Sequence, residues 1–251
     1  KYKSILRKSK KPVFIIGQGP LISEDAESLF YYLLDIYNKS NKALNWSGFN
    51  VLQNFSGRVG ALDLGFYNAK NIHKNYISNI YNGKYDVLYL LSADELDFDR
   101  IPSKTFVIYQ GHHGDRAVKR ADLIIPTSCF TEKEGIYVNL EGRPQISRQI
   151  KMPISGVNDT WIFFKRLSKY LSFDIGYNNF DELRLLMFEK FPHLSRINAL
   201  SKHKDPKFKI PKVKLSKNKI KTSIKNFYMT DSVSRNSPVM SSCCSEIKKN
   251  E

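Results

Sequence analysis

The chain has 251 residues, of which 41% are hydrophobic and 13% aromatic, and its formal net charge is +16. At roughly 150 residues per domain this length allows one or two domains, and the composition excludes a chain that is disordered throughout. No apolar stretch reaches the roughly 18 residues of a transmembrane helix. The three cysteines, Cys129, Cys243 and Cys244, are too few for a disulfide framework and lack zinc-site spacing. They indicate a reducing compartment and predict no metal site.

The positive charge is concentrated in two segments. Residues 1–12 carry six Lys or Arg and no acid, and residues 201–225 carry ten Lys and one Asp. The stretch between them, 13–200, holds 21 basic and 20 acidic residues. A nucleic-acid-binding domain usually places Arg and Lys on a folded face with aromatic residues between them. The distribution instead favours a nearly neutral body with a basic leader and a solvated or partner-binding basic extension.

Short apolar runs that end in polar turns predict parallel strands. Four runs are continuous rather than alternating in their apolar residues: 13–16, 86–91, 105–109 and 121–125. Continuous runs are typical of strands that are covered on both faces. A helix is predicted from Ser23, as its N-cap, to about Asn38, with Glu24, Asp25 and Glu27 in its first turn. Strands that alternate with helices predict an α/β fold with a mostly parallel sheet and flanking helices.

Two further helices are predicted after a loop-rich stretch over 132–152. The first begins at Asn158 or Asp159, and its spacing predicts one apolar face that consists of Trp161, Phe164, Leu167 and Leu171. The second covers 180–191 and is stopped by Pro192.

The helical periodicity is lost from about Ser201, where Lys, Pro and Ser become frequent. We therefore predict an α/β domain over 1–200 and an extended basic tail over 201–251. Such a tail cannot bury enough apolar surface to fold alone, so we expect it to be ordered by packing on partner subunits.

A glycine pair follows the first predicted strand. Gly17 and Gly19 suggest a dinucleotide-binding turn, but Ile22 stands where that fingerprint has its third glycine. Pro20 also removes one backbone donor from a phosphate cradle. The pattern therefore favours a tight turn over a nucleotide site.

Two adjacent histidines are the most chemically suggestive cluster. His112 and His113 follow a predicted strand, at the end of the sheet where α/β proteins place active sites. Neighbouring histidines on a loop generally point in different directions, so joint metal ligation needs other ligands. Acid–base catalysis by one of them is an alternative, although no nucleophile accompanies it in the sequence.

The longest patterned stretch is RADLIIP at 120–126 followed by TEKEGIYVNLEGRPQ at 131–145. It resembles the ADvvLP…tEk.GtyvN.EGRvQ pattern of the molybdopterin oxidoreductase superfamily. Within that superfamily, YQGHHGD at 109–115 and GALDLG at 60–65 are similar to the large iron–sulfur subunits of respiratory complex I. FYMTDSVSR at 227–235 is similar to their mitochondrial version in particular. The resemblance covers essentially the whole chain, in order.

The resemblance implies a chain without redox groups of its own. In those subunits the clusters are held by cysteines and one histidine of an N-terminal region that has no counterpart here, and three cysteines cannot hold a four-Cys cluster. The complex I members also carry no molybdenum cofactor. The resemblance thus implies no catalytic, cofactor-binding or metal-binding residue in this C-terminal part, whether it is a separate polypeptide or a fragment.

The function that the resemblance implies is a structural, non-catalytic part of the peripheral arm of complex I, the proton-translocating NADH:ubiquinone oxidoreductase. Its expected location is the matrix side of the mitochondrial inner membrane. Its expected partners are other complex I subunits, especially the chain with the N-terminal iron–sulfur part, with neither nucleic acid binding nor membrane insertion.

Within such a structural part, the loop residues of the motifs are expected to support the backbone. Gly111, Gly114, Gly135 and Gly142 would adopt conformations that side chains forbid. Asn139, Glu141 and Arg143 would satisfy loop backbone groups and each other.

Two alternatives are left open. A fragment that still binds the pterin dinucleotide of a molybdopterin oxidoreductase would contain molybdenum or tungsten on metal analysis. A free-standing binding module with a polycationic tail would lose its binding steeply as salt is added.

Overall fold

A computed structural model describes residues 2–40, 42–43, 45–66, 76–200, 210–212, 214–216 and 226–250. The helices are α1 (Tyr2–Lys8), α2 (Ala26–Asn38), α3 (Arg58–Asp63), α4 (Tyr76–Tyr81), α5 (Thr160–Tyr170), α6 (Phe180–Lys190), α7 (Ser232–Arg235) and α8 (Pro238–Asn250). The strands are β1 (Phe14–Ile16), β2 (Phe49–Val51), β3 (Val87–Leu91), β4 (Phe106–Gly111), β5 (Leu123–Pro126), β6 (Gly135–Val138) and β7 (Pro144–Ser147). Short 3-10 helices cover Gly19–Ile22, Phe98–Arg100, Arg116–Lys119, Phe130–Glu132 and Pro192–Ser195.

The chain folds into two compact units, each built from separate stretches of sequence. The first comprises Lys1–Leu64, Tyr137–Gln145 and His193–Lys225. The second comprises Gly65–Ile136, Ile146–Pro192 and Asn226–Glu251. None of the helices in the described ranges has the length and hydropathy that a membrane crossing needs.

The first unit contains a two-stranded parallel sheet covered by α2. β1 and β2 pair with Phe14 opposite Phe49. The ring of Tyr37, on α2, lies 5.5 Å from each of these two rings, and its residue is only 1% exposed. Ile15 points to the other face and is 64% exposed. The face of the two-stranded sheet that carries Phe14 and Phe49 is thus covered by an aromatic layer.

The connection between β1 and α2 differs from a phosphate-binding turn. A 3-10 helix over Gly19–Ile22, with Pro20 in its first turn, separates the strand from α2. The helix α2 begins at Ala26 with Asp25 at its N-cap. The prediction of Ser23 as the cap is wrong, because the Ser23 hydroxyl donates to the carbonyl of Pro20 instead.

The second unit contains a three-stranded parallel sheet in the order β3-β4-β5. One of its faces packs on α4 and on the 3-10 helices that follow β3 and β4. This buried core consists of Ile80, Leu90, Phe98, Ile101, Val107, Tyr109 and Ala117. The predicted α/β fold with a mostly parallel sheet and flanking helices is confirmed.

The start of β5 is fixed by the Arg120 and Asp122 of the RADLIIP motif. The Asp122 carboxylate accepts the backbone N–H of Val107 at 2.7 Å, and Arg120 donates to that carboxylate at 3.1 Å. Arg120 also donates to the carbonyls of Pro102 and Thr105. The hydrogen bond from Val107 lowers the pKa of Asp122. These two residues of the motif therefore connect the start of β5 to the start of β4 through hydrogen bonds.

The other face of this sheet is only partly covered. In the middle of β3, Tyr89 packs on Phe164 of α5 with ring centroids 6.0 Å apart. Near the amino ends of the strands, Val87, Phe106 and Leu123 are 58%, 46% and 45% exposed. The prediction that these strands are covered on both faces is wrong for that half of the face.

The stretch predicted to be loop-rich, 132–152, contains the paired strands β6 and β7. The turn between them is organised by Asn139, whose Oδ1 accepts the backbone N–H groups of Glu141 and Arg143, each at 3.0 Å. Arg143 lies 3.7 Å from the Glu141 carboxylate and donates to the carbonyl of Asn198. The predicted structural role of these three polar side chains is confirmed.

The glycines of the motifs have different roles. Gly142 has φ +78°, a conformation that favours glycine. Gly111 is required for space, because an added Cβ would lie 2.2 Å from the Tyr109 hydroxyl. Gly114 has open space around it, and Gly111, Gly114 and Gly135 all lack a positive φ, so the expectation of a special backbone conformation is wrong for these three.

The two predicted helices after residue 157 are confirmed. α5 begins after Asp159, and its Trp161 packs against Tyr177 and Phe180 with ring centroids 6.3 and 6.1 Å away. Leu171 lies beyond the helix and is 68% exposed, so its assignment to the apolar face is wrong. α6 ends at Lys190, two residues before Pro192.

The tail is more structured than predicted. Residues 210–212 and 214–216 lie outside helices and strands, but 226–250 contain α7 and α8 and belong to the second unit. The expectation of a wholly extended tail is wrong for this last segment, whereas the boundary between 200 and 201 stays a prediction.

We expect Trp161→Ala to lower the free energy of unfolding by about 3 kcal/mol, because it removes a large side chain from an aromatic cluster. Tyr170→Ala is the matched control, since Tyr170 belongs to the same helix and is 89% exposed. It should change stability by less than about 0.5 kcal/mol. Urea unfolding followed by circular dichroism measures both, and equal losses would contradict the assignment of Trp161 to a packed face.

Candidate functional site

The carboxyl ends of β3 and β4 carry two aspartates that face a single arginine. Asp94 follows β3 and Asp115 follows β4, at the edge where parallel α/β sheets bind ligands. Arg235, the last residue of α7, donates from Nε to Asp115 Oδ2 at 2.6 Å and from Nη2 to Asp94 Oδ2 at 2.5 Å. Glu95 lies 3.5 Å from Nη1. We call Arg235, Asp94 and Asp115 the arginine clamp.

The arginine clamp is buried. The side chains of Arg235, Asp94 and Asp115 are 7%, 9% and 12% exposed, whereas that of Glu95 is 51% exposed. Burying a charge is costly unless it is paired and hydrogen-bonded. The planar guanidinium meets this requirement because its donors reach two separate carboxyl groups.

The two aspartates respond differently to their surroundings. Burial raises the pKa of Asp94, and its hydrogen bond with Asp115 adds to this, although Arg235 acts in the opposite direction. Burial also opposes the ionisation of Asp115, but its hydrogen bonds with Arg235 and Asp94 outweigh burial and lower its pKa. The surroundings thus favour the neutral form of Asp94 more than that of Asp115, whose ionised form Arg235 stabilises.

The TDSVSR part of the sequence folds into a capped helical turn that presents Arg235. Asp231 is the N-cap of α7, and its carboxylate accepts the backbone N–H groups of Val233 and Ser234. The Ser234 hydroxyl in turn accepts the N–H of Asp231, which completes a capping box. The hydrogen bond from the Ser234 backbone lowers the pKa of Asp231. This local order fixes the backbone from which Arg235 extends.

The two histidines that follow β4 contact each other. Their Nδ1 atoms are 2.6 Å apart, and the rings meet edge to face. The expectation that they point in different directions is therefore wrong. Burial lowers the pKa of His112, and His113 and Lys133 contribute in the same direction. No group of three His, Cys, Asp or Glu side chains suited to a metal ion occurs in the described part of the chain.

Polar side chains near the carboxyl end of β4 are buried. The hydroxyl of Tyr89 donates to Gln110 Oε1 at 2.6 Å, and Gln110 is fully buried. Gln110 Nε2 and Ser128 Oγ, both on fully buried residues, have no hydrogen-bond partner among the described residues. Polar atoms are thus present here, but none of these is open to a ligand from solvent.

Sequence reasoning identified parts of this site without its centre. The sequence placed His112, His113 and Asp115 after a strand and Arg235 in a motif similar to that of the family, but did not single out Asp94. The available signal was the coincidence of acidic residues after two neighbouring strands, because those strand ends share one edge of the sheet. No comparable pattern in the sequence indicated that Arg235 of the tail contacts these aspartates.

We expect Asp94→Asn to cost less than about 1 kcal/mol of unfolding free energy, because the amide replaces a carboxyl group whose neutral form burial already favours. Asp115→Asn should cost about 3–5 kcal/mol, because it deprives a buried guanidinium of its charged partner. Urea unfolding at neutral pH compares the two variants.

The pH dependence gives a second comparison. A raised pKa means that the protonated form of Asp94 stabilises the fold at low pH, and that this contribution is lost as pH rises through its pKa in the folded state. The free energy of unfolding of the unchanged chain should therefore fall relative to that of Asp94→Asn as pH rises. Equal effects of the two substitutions at every pH would contradict the assigned roles.

Comparison with known proteins reveals relatives along almost the entire chain. An NADH-quinone oxidoreductase subunit of Rickettsia bellii (strain RML369-C) is 37% identical over 246 residues, which is 97% of this chain and 34% of the relative. The mitochondrial NADH-ubiquinone oxidoreductase 78 kDa subunit of Candida albicans is 37% identical, over 96% of this chain and 34% of the relative. The mitochondrial NADH dehydrogenase [ubiquinone] iron-sulfur protein 1 of Solanum tuberosum is 34% identical, over 99% of this chain and 33% of the relative. The chain spans about a third of the length of these relatives.

Two family patterns match the chain. Residues 198–243 match a C-terminal domain family of NADH-ubiquinone oxidoreductase, and residues 2–170 match the molybdopterin oxidoreductase family. The resemblance read from the sequence motifs is thereby confirmed. Since the match to residues 2–170 covers more than half of the chain, the chain belongs to the molybdopterin oxidoreductase family.

Proposed function

We propose that this chain is a structural, non-redox part of the peripheral arm of respiratory complex I, where it supports the cluster-bearing part and the assembly of NADH:ubiquinone oxidoreductase. The similarity to relatives named as subunits of that enzyme carries the proposal, because it covers 96–99% of this chain in the Candida and Solanum proteins.

The cysteine content supports a role without electron transfer. The chain supplies three cysteines, fewer than the four of an all-Cys iron–sulfur cluster. Cys129 lies in the 3-10 region after β5, far in sequence from Cys243 and Cys244 on α8, and all three are free. We therefore assign the clusters of the complex to residues outside this chain.

The residues at the carboxyl edge of the three-stranded sheet do not fit a pterin dinucleotide. The diphosphate of such a ligand needs open N–H or cationic groups, but Asp94 and Asp115 would repel it. Arg235 is already paired with both carboxyl groups. The alternative of a pterin-binding fragment is therefore disfavoured, and we assign no molybdenum chemistry to this chain.

The tail exposes apolar side chains that suit contact with a neighbouring subunit. Phe227 is 73% and Val239 64% exposed, although both belong to the segment that the arginine clamp attaches to the second unit. Aromatic side chains such as that of Phe227 are enriched at the centre of protein–protein interfaces. We propose that they contact another complex I subunit, in a peripheral arm on the matrix side of the mitochondrial inner membrane.

We expect that an affinity-tagged chain, purified from its source in mild detergent, carries an active NADH:ubiquinone oxidoreductase with it. Phe227→Asp together with Val239→Asp should reduce recovery of the complex at least about fivefold, since apolar anchors contribute most of the energy of an interface. The same pair of changes should leave the stability of the isolated chain nearly unchanged, because both side chains are exposed.

Arg148→Asp is the control for added negative charge, because Arg148 is also exposed. It should leave recovery of the complex unchanged. Purification of the tagged chain alone, or with nucleic acid that salt removes, would contradict the proposed function and favour a free binding module.

We expect the double change His112→Ala and His113→Ala to leave NADH:ubiquinone turnover per assembled complex nearly unchanged. The two rings contact each other and no metal-binding group accompanies them among the described residues. Turnover is measured against the cluster signals in electron paramagnetic resonance. A tenfold loss of turnover with intact cluster signals would show that one histidine has a role in catalysis.

A further inference from the structure

The segment 226–250 organises itself around the backbone that carries Arg235. Asn226 Oδ1 accepts the backbone N–H groups of Tyr228 and Met229, and Asn226 Nδ2 lies 2.7 Å from the sulfur of Cys244 on α8. The capping box of α7 adds a second local network. The segment therefore presents Arg235 from a structured backbone rather than from a loose strand.

In this segment the most buried side chain is charged. Phe227, Val233 and Val239 are 73%, 41% and 64% exposed, and Tyr228, Met229 and Met240 are half-buried. The charged side chain of Arg235, by contrast, is 7% exposed. Apolar groups usually provide the buried contacts and charged groups remain in water. Here a hydrogen-bonded cation provides the buried contact.

We propose that Asp94 and Asp115 form a guanidinium-binding pocket of the second unit, and that Arg235 is its resident ligand. The segment 226–250 thus docks as an internal ligand at the edge of the sheet where α/β proteins bind small molecules. The chemical class recognised is an alkylguanidinium. This inference goes beyond the proposed function and does not depend on it.

The geometry selects a guanidinium over other cations. Nε and Nη2 donate to carboxyl groups that follow two different strands, at 2.6 and 2.5 Å. The third nitrogen, Nη1, lies 3.3 Å from the carbonyl of Thr230, within the docking segment itself. A planar fork with several fixed donors fits this arrangement, whereas an ammonium group is a point charge that cannot reproduce it.

The test uses the full chain with Arg235→Ala, because a preformed pocket should accept the missing group from solution. The substitution should lower the melting temperature by roughly 6–10 °C, since it leaves buried carboxyl groups without their cation. Methylguanidinium at about 10 mM, which is comparable to the effective concentration of a tethered ligand, should restore about half of the loss. Methylammonium and sodium chloride at the same concentration should restore none of it.

Two further variants test whether the pocket requires a guanidinium group or only a positive charge. Arg235→Lys keeps a cation but should recover less than half of the lost melting temperature, because lysine lacks the fork. Arg148→Ala removes an exposed arginine and should behave as the unchanged chain does, with no response to methylguanidinium. The unchanged chain should not respond either, because Arg235 already fills its pocket.

Three results would overturn the proposal. The first is a melting temperature of Arg235→Ala that methylguanidinium does not raise, or raises no more than methylammonium does. The second is full stability in Arg235→Lys. If Arg235→Ala does not fold, refolding in methylguanidinium should recover soluble chain, and failure to recover any would also overturn it. All these readouts concern the isolated chain, so they are independent of its proposed place in complex I.

Discussion

A buried cation must be matched by buried anions, and this requirement links the tail of the chain to its central sheet. Parallel strands place the loops after β3 and β4 side by side, which brings Asp94 and Asp115 to one place. Arg235 is buried there with both carboxyl groups accepting its donors. The sheet sets the positions of the two aspartates, and the capping box of α7 sets the backbone from which Arg235 reaches them.

The continuous apolar runs predicted the main strands and helices because burial determines both. The predictions for β3, β4, β5, α5 and α6 are confirmed within a few residues. The pairing of β6 with β7 was missed, because polar residues such as Asn139 and Glu141 organise their turn, and polar turn chemistry leaves no apolar periodicity. The cap of α2 was misplaced for a similar reason, since Ser23 uses its hydroxyl in the preceding turn.

The candidate site was predictable in its acidic half only. Residues after parallel strands converge by topology, so the position of Asp115 beside Asp94 follows from the order of strands. The position of Arg235 follows from a contact across 141 and 120 residues of sequence, and no local pattern encodes such a contact. The FYMTDSVSR pattern at 227–235 did indicate an ordered segment, because a disordered tail does not need such a pattern.

Arg235 is synthesised well after the two aspartates that it contacts. The strands and helices of the second unit up to Pro192 emerge from the ribosome before Arg235 does, an interval of several seconds at about 5–20 residues per second. During that interval the two aspartates have no guanidinium and can relieve their repulsion only with a proton or with water. A nascent chain that is cut short before α7 keeps this defect permanently. Because buried carboxyl groups without a cation destabilise a fold, we expect such a chain to have a larger unfolded fraction and to be a better protease substrate. Completion of synthesis is thus coupled to the stability of the product.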